Sequence, residues 1–227
     1  DACLAVVAVL VWIPLFSPLF SLHADDIHVS GADSTVSVQD VRQALAPQVG
    51  QSLVSLNLEE MGHEVTDALV RVRSVRVTRN WPRGVDVALT LRVPVAVRQV
   101  EGGYELLDGD AVVLGTVGEA PAGLATIVTP QGESLTGEQV SAVAVAIGAL
   151  DPAVRAQVVS GTASATGQVS LSLASGSTVV WGDTTDLALK ARVLTQLLGA
   201  RSASVYDVSA PRSPVTAGEA TPTPTAP

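Results

Sequence analysis

The sequence is poor in the residue types from which most active sites are built. It has a single cysteine, Cys3, so no disulfide can form within the chain and no cysteine metal cluster is available. Its three histidines, His23, His28 and His63, are scattered and form no i, i+4 pair that would hold a metal. No G-x-S-x-G, Walker or G-x-G-x-x-G pattern occurs. We therefore predict a protein that is not an enzyme, with no catalytic residues and no metal or other cofactor.

Aromatic and basic residues are also scarce. Aromatic residues make up 3% of the chain and hydrophobic residues 47%, so its cores must be built mainly from Val, Leu and Ala. Thirteen basic residues stand against 22 acidic ones, and the net charge of −9 argues against a nucleic-acid partner, which would select a basic face. A length of 227 residues suits one or two domains.

One long stretch without charge lies at the N-terminus. Ala2–Leu22 is 21 residues long, and as a helix it would cross a hydrocarbon core of ~30 Å. The acidic flank His23–Asp26 favours placing the rest of the chain outside the cytoplasm. We predict an uncleaved transmembrane anchor over residues 1–23; the alternative is a cleaved signal peptide with Ala24 as its −1 residue. Because the chain begins with Asp1 and not Met, we expect a cytoplasmic tail to be missing from it.

Residues 24–93 predict a small domain with the order strand, helix, helix, strand, strand. Ile27–Gly31 alternates as a short strand, and capping residues at Ser37 and Asn57 then begin two helices. Around the turn Trp81–Gly84 the sequence alternates with period two, which is typical of a β-hairpin. Two helices laid on a three-stranded sheet would bury the apolar face of that hairpin.

Beyond residue 93 short strands dominate, and helices begin at Thr136 and near Asp186. Strands are predicted at Val95–Val100, Tyr104–Leu107, Val112–Leu114, Val154–Val159, Val169–Leu173, Thr178–Trp181 and Ala203–Val208. Asp108–Asp110 is interpreted as a hairpin turn and not a calcium loop, because a full set of alternating oxygen ligands is missing. Residues after Ala210 hold 5 of the 13 prolines, so we predict a disordered tail over 211–227.

Several short motifs follow one another in a recognisable order. The apolar anchor, a V-x-G strand and two capped helices precede Asn80-Trp81-Pro82 at the hairpin. After them come the motifs Arg92-Val93-Pro94-Val95-Ala96, Leu106-Leu107-Asp108-Gly109-Asp110, Val180-Trp181-Gly182 leading to Lys190, and Tyr206-Asp207-Val208-Ser209-Ala210-Pro211. The ordered set covers nearly the whole chain and resembles the FtsQ/DivIB family of bacterial cell-division proteins.

The resemblance implies an α+β fold on a single-pass membrane protein. It implies a POTRA domain over residues 24–93 and an FtsQ-type mixed β-domain with flanking helices over 94–210, both outside the cytoplasm at the division septum. It also implies a non-enzymatic divisome scaffold that links early and late division proteins and helps control septal peptidoglycan synthesis. Its partners would be FtsB-like and FtsL-like proteins and other divisome components, with no small-molecule substrate.

The resemblance further implies a partner-binding strand. In the family, FtsB pairs with the last strand of the β-domain, which by position maps to Ala203, Ser204, Val205, Tyr206, Asp207 and Val208. An edge strand exposes unpaired amides and carbonyls, so a partner strand can add to it by β-augmentation. The competing interpretation is that Val205 and Tyr206 only complete the core.

Two other classes of protein stay open at this stage. The first is a different POTRA-bearing envelope protein, such as an outer-membrane assembly or secretion component. Such proteins usually carry several POTRA units or a long barrel, whereas this chain has one unit and no room for a barrel. The second is a secreted envelope enzyme, which the lack of a catalytic constellation disfavours.

Overall fold

The structure is a computed structural model that describes residues 20–130 and 134–218. The chain divides into two compact units, with the boundary between Arg92 and Val93. The predicted anchor lies outside the described residues except for its last few. Within the described ranges, no helix combines the length and the apolar character needed to cross a membrane.

In its described part, the first unit consists of two α-helices packed on a three-stranded sheet. Its elements are β1 (Ile27–Ser30), α1 (Val38–Ala44), α2 (Leu58–Ala68), β2 (Val72–Asn80) and β3 (Gly84–Leu91). The central strand β3 runs parallel to β1 and antiparallel to β2. The predicted order of strand, helix, helix, strand, strand is therefore confirmed.

Side-chain caps fix where both helices begin. The Ser37 hydroxyl accepts a hydrogen bond from the Asp40 amide (3.2 Å), and the Asp40 carboxylate accepts one from the Ser37 amide (3.0 Å), which completes a capping box. Hydrogen bonds from the Ser37 hydroxyl and amide hold the pKa of Asp40 below its ordinary value. The Asn57 side chain accepts from the amides of Glu59 and Glu60 at the start of α2.

The core of the first unit includes a residue from the predicted anchor. Leu22 is 1% exposed and belongs to the same apolar cluster as Met61 of α2 and Val85 of β3. Its amide donates to the Gln51 carbonyl (2.8 Å). The anchor predicted over residues 1–23 is thus wrong at its C-terminal end. Leu22 belongs to the folded unit because it fills the core and its backbone pairs with a loop of that unit.

We expect Leu22→Ala to lower the free energy of unfolding of the first unit by roughly 2–4 kcal/mol, since it removes buried methyl groups and leaves a cavity. Val54→Ala is the matched control, because Val54 is 43% exposed and lies close to Gln51 in the sequence. Its expected effect is within about 0.5 kcal/mol. Urea denaturation of the full chain measures both, and equal losses would contradict the burial of Leu22.

The second unit, as far as it is described, is built on a nine-stranded mixed sheet. Its elements are β4 (Pro94–Val100), β5 (Gly103–Asp108), β6 (Val113–Val117), β7 (Ala125–Ile127), α3 (Gly137–Ala149), α4 (Pro152–Arg155), β8 (Val158–Ala163), β9 (Val169–Leu173), β10 (Thr178–Gly182), α5 (Leu187–Ala200), β11 (Val205–Asp207) and β12 (Val215–Ala217). The strands lie in the order β12-β11-β10-β9-β8-β7-β4-β5-β6. The pairs β4–β7, β7–β8 and β10–β11 are parallel, and the other neighbours are antiparallel.

The helices α3 and α5 bury their apolar sides in the main core of the second unit. Trp181 of β10 is fully buried there, in one cluster with Ile147 of α3 and Leu194 of α5. Close backbone packing adds to this contact: a Cβ atom at Gly148 of α3 would lie 2.4 Å from the Cα atom of Gly109. Glycine is therefore required where α3 meets the turn between β5 and β6.

Three features of the second unit differ from the sequence prediction. The strand Ala125–Ile127 was not predicted, because three residues are too few to show a period of two. Part of the predicted strand Val154–Val159 is the helix α4, which begins at Pro152, a residue that favours the first turn of a helix. The tail predicted as disordered over 211–227 contributes β12, whose backbone pairs with β11. Residues 219–227 lie outside the described residues.

Candidate partner-binding edge

The sequence-predicted binding strand lies inside the sheet. Of Ala203–Val208, the residues Val205–Asp207 form β11, which pairs in parallel with β10 on one side and antiparallel with β12 on the other. The prediction that this is the last strand and an edge is therefore wrong. After Pro211 the chain turns back and adds Val215–Ala217, so among the described strands β12 forms the edge at this end of the sheet.

Half of the predicted site consists of core residues. Ala203, Tyr206 and Val208 are at most 3% exposed and belong to the main apolar cluster of the second unit. The Tyr206 hydroxyl donates to the Arg201 carbonyl (3.0 Å) and accepts from the Ala203 amide (3.0 Å). Tyr206 thus completes the core, as the competing interpretation predicted, whereas Val205 is only half-buried.

The other polar residues of the predicted site hold β12 in place. The Ser204 hydroxyl donates to the Ala217 carbonyl (2.9 Å). The Asp207 carboxylate accepts from both the amide (2.9 Å) and the hydroxyl (2.6 Å) of Ser209, at the start of the turn into β12. These contacts stabilise the β11–β12 hairpin from both ends.

Backbone hydrogen bonds show which residues of β11 turn their amides and carbonyls toward β10. The Ser204 carbonyl accepts from the Thr178 amide (2.9 Å), and the Val208 amide donates to the Val180 carbonyl (2.9 Å). Both bonds point toward β10. Because alternate residues of a strand turn their amides and carbonyls to the same side, Tyr206 also faces β10.

The same alternation identifies the open groups of β12. Val205 and Asp207 face β12, where they lie opposite Ala217 and Val215. Thr216 lies between Val215 and Ala217 in β12. Because neighbouring residues of a strand turn their amides and carbonyls to opposite sides, those of Thr216 point away from β11. No strand of the described residues pairs with this outer side of β12, so Thr216 is the central hydrogen-bonding residue of the edge. The edge is short, and short edges are one way in which proteins limit unwanted strand pairing.

An ion pair between a buried lysine and a half-exposed aspartate holds the loop that follows β10. Lys190 of α5 is fully buried, and its ammonium group donates to the Asp183 carboxylate (2.7 Å) and the Asp183 carbonyl (2.9 Å). The Lys190 hydrogen bond, followed by those from Thr185, lowers the pKa of Asp183 well below its ordinary value of 3.8. The only lysine of the chain thus anchors the start of α5, the helix that leads into β11.

The Asp108–Asp110 segment is a turn, as predicted. The Asp108 carboxylate accepts from the amides of Asp110 (3.0 Å) and Val112 (2.8 Å). Among residues 20–130 and 134–218, no group of three or more His, Cys, Asp or Glu side chains is placed to hold a metal ion.

The two units together define a class of protein: a POTRA-type β-α-α-β-β unit followed by a mixed sheet with flanking helices. A family model described as "POTRA domain, FtsQ-type" matches residues 22–91, and one described as "Cell division protein FtsQ/DivIB, C-terminal" matches residues 96–209. The chain belongs to the FtsQ/DivIB family of cell-division proteins. The first match begins at Leu22, the residue that the structure places in the core of the first unit.

Curated proteins named Cell division protein FtsQ are similar over most of the chain. The protein of Streptomyces collinus is 32% identical over 208 residues, which cover 87% of this chain and 78% of that protein. The protein of Streptomyces griseus is 32% identical over 204 residues (85% and 96%), and that of Mycobacterium leprae is 32% identical over 189 residues (83% and 54%). The family resemblance based on the ordered motifs is thereby confirmed, and it supports a role in cell division.

Proposed function

We propose that the chain is a non-enzymatic divisome scaffold that links early and late cell-division proteins and helps control septal peptidoglycan synthesis. The apolar segment that precedes Phe20 anchors it as a single-pass protein in the cell membrane, and both described units lie outside the cytoplasm. Its partners are FtsB-like and FtsL-like proteins. Membership of the FtsQ/DivIB family and the uncharged run of residues 2–19 support this proposal.

The observation that carries the binding proposal is the outer side of β12, with which no strand of residues 20–130 or 134–218 pairs. A strand of the FtsB-like partner adds to this edge and pairs with the outward amide and carbonyl of Thr216. Residues Ala203–Val208 do not touch the partner strand in this arrangement but hold β12 in place. Their strand is paired on both sides, and its side chains fix the register of β12. Addition at β12 leaves every existing pair of the sheet intact, whereas addition at β11 requires β12 to leave.

We expect Thr216→Pro to weaken binding of the extracytoplasmic segment of the FtsB-like protein by at least about tenfold. Proline lacks the amide donor, and its ring obstructs a strand approaching from that side. The amide that is lost points away from β11, so the sheet keeps its own hydrogen bonds. Isothermal titration calorimetry with the full chain in detergent micelles measures the affinity.

Two variants control this experiment. Thr216→Ala keeps the backbone amide and is expected to bind within about twofold of the unchanged chain. Val205→Pro removes an amide that faces β12, so it loosens β12 itself. If Thr216→Pro binds normally while Val205→Pro does not, the partner replaces β12 and pairs with β11, and addition at the β12 edge is refuted.

A further inference from the structure

An exposed tryptophan lies beside the point at which the chain enters the first unit. Trp81, at the tip of the β2–β3 hairpin, is 54% exposed, which is unusual for so large an apolar side chain. Its ring contacts that of Phe20 edge to face, with the ring centroids 5.9 Å apart. The His23 amide also donates to the Arg83 carbonyl at the same turn (3.1 Å). The hairpin tip and the entering chain are thus fixed to each other.

A neighbouring loop extends this apolar surface. The Leu53 amide donates to the Phe20 carbonyl (2.8 Å), and the next residue, Val54, is 43% exposed. The Arg79 guanidinium of β2 donates to the Leu53 carbonyl (2.6 Å), which ties the hairpin to the loop. Phe20 and Trp81 therefore form one surface, which we call the entry patch, and the exposed Val54 follows directly after the residue that pairs with Phe20.

The length of the apolar segment leaves no room for a spacer between a membrane and this patch. Residues 2–19 carry no charge, and as an α-helix these 18 residues are about 27 Å long. That is slightly less than the ~30 Å hydrocarbon core of a bilayer. Phe20 follows at once, and its carbonyl already pairs with the first unit. If residues 2–19 span the membrane, Phe20 must lie at the membrane surface.

We propose that the entry patch is a membrane-contact surface in which Trp81 lies in the lipid headgroup layer and holds the first unit against the bilayer. This inference rests on the proposed membrane anchor. The headgroup layer is about 5–7 Å thick on each side, and the Trp81 ring lies 5.9 Å from that of Phe20. Tryptophan suits this layer, because its ring is apolar while its N–H reaches polar groups.

Quenching of tryptophan fluorescence by brominated lipid tests the proposal. The full chain carrying Trp12→Phe is reconstituted in phosphatidylcholine vesicles with bromine at the headgroup end of the acyl chains. Only Trp81 and Trp181 then emit, and Trp181 is a shielded reference because it is fully buried in the second unit. Relative to vesicles without bromine, we expect the emission of this variant to fall by roughly a third. When Trp81→Phe is added, we expect the brominated lipid to change the emission very little.

A second variant separates this proposal from that of the anchor. The chain carrying only Trp81→Phe retains Trp12, near the middle of the apolar segment, and is tested with bromine at the bilayer centre. If Trp12 is quenched and Trp81 is not, the anchor stands and the membrane-contact surface is refuted. If neither is quenched, the anchor is refuted, and the contact surface with it.

Discussion

Trp181→Ala is expected to lower the free energy of unfolding of the second unit by about 3–5 kcal/mol, one of the largest single losses in the chain. Trp181 is the largest of the fully buried side chains in the described part of the chain, and it shares its cluster with side chains of α3, α5 and β11. No other side chain of that volume is available nearby in a core made mostly of Val, Leu and Ala. The cavity would therefore stay largely unfilled.

Trp181→Phe tests how much of this loss comes from packing volume alone. The indole N–H of Trp181 is buried and has no hydrogen-bond partner in the described structure, so phenylalanine loses packing volume but no hydrogen bond. We expect a loss of about 1–2 kcal/mol, less than half of that for alanine. Urea denaturation followed by circular dichroism measures both variants. A loss for Trp181→Ala no larger than that for Trp181→Phe would contradict the packing described for this core.

Asp183→Ala is expected to cost about 2–4 kcal/mol, because it leaves the fully buried ammonium group of Lys190 without its counter-ion. Lys190→Met is expected to cost less, although it breaks the same pair. Methionine fills much of the same space, and the remaining Asp183 side chain is 55% exposed and can be solvated by water. Chemical denaturation at neutral pH compares the two variants. The reverse order of losses would contradict the burial of Lys190.

The same pair predicts how stability changes with pH. Because the pKa of Asp183 is lowered in the folded chain, this carboxylate adds stability above its ordinary pKa of 3.8, and that contribution is lost as the pH falls below it. We expect the unchanged chain to lose more stability than Lys190→Met between about pH 4 and about pH 2, the range that lies below the ordinary pKa of the carboxylate. Parallel slopes over that range would contradict a stabilising contact between Asp183 and Lys190.

Local signals in the sequence predict the elements of the first unit well. The capping box of Ser37 and Asp40 and the turn at Trp81–Gly84 depend on residues close together in the sequence, and the structure confirms both. The end of the apolar N-terminal segment was harder to place. Leu22 continues an uncharged run, so composition alone cannot separate a core residue from a membrane residue.

The candidate binding edge depends on long-range pairing, which local patterns do not reveal. The strand character of Val205–Asp207 was predicted, because apolar and polar residues alternate there. Its position inside the sheet was missed because Val215–Ala217 stands among Pro, Thr and Gly and shows no strand pattern of its own. The sequence signal that could have predicted β12 is the segment that contains Pro211 and Pro214, because prolines favour a turn and a turn between two short strands is typical of a hairpin.

Hydrogen exchange at the Thr216 amide tests the central claim most directly, because it observes the proposed contact itself. In the free chain this amide faces away from β11, so we expect it to exchange rapidly, while the Val205 amide is protected. On binding the extracytoplasmic segment of the FtsB-like partner, exchange at Thr216 should slow by about 100-fold, with Val205 still protected. Binding that leaves exchange at Thr216 unchanged, or that exposes Val205, would contradict strand addition at the β12 edge.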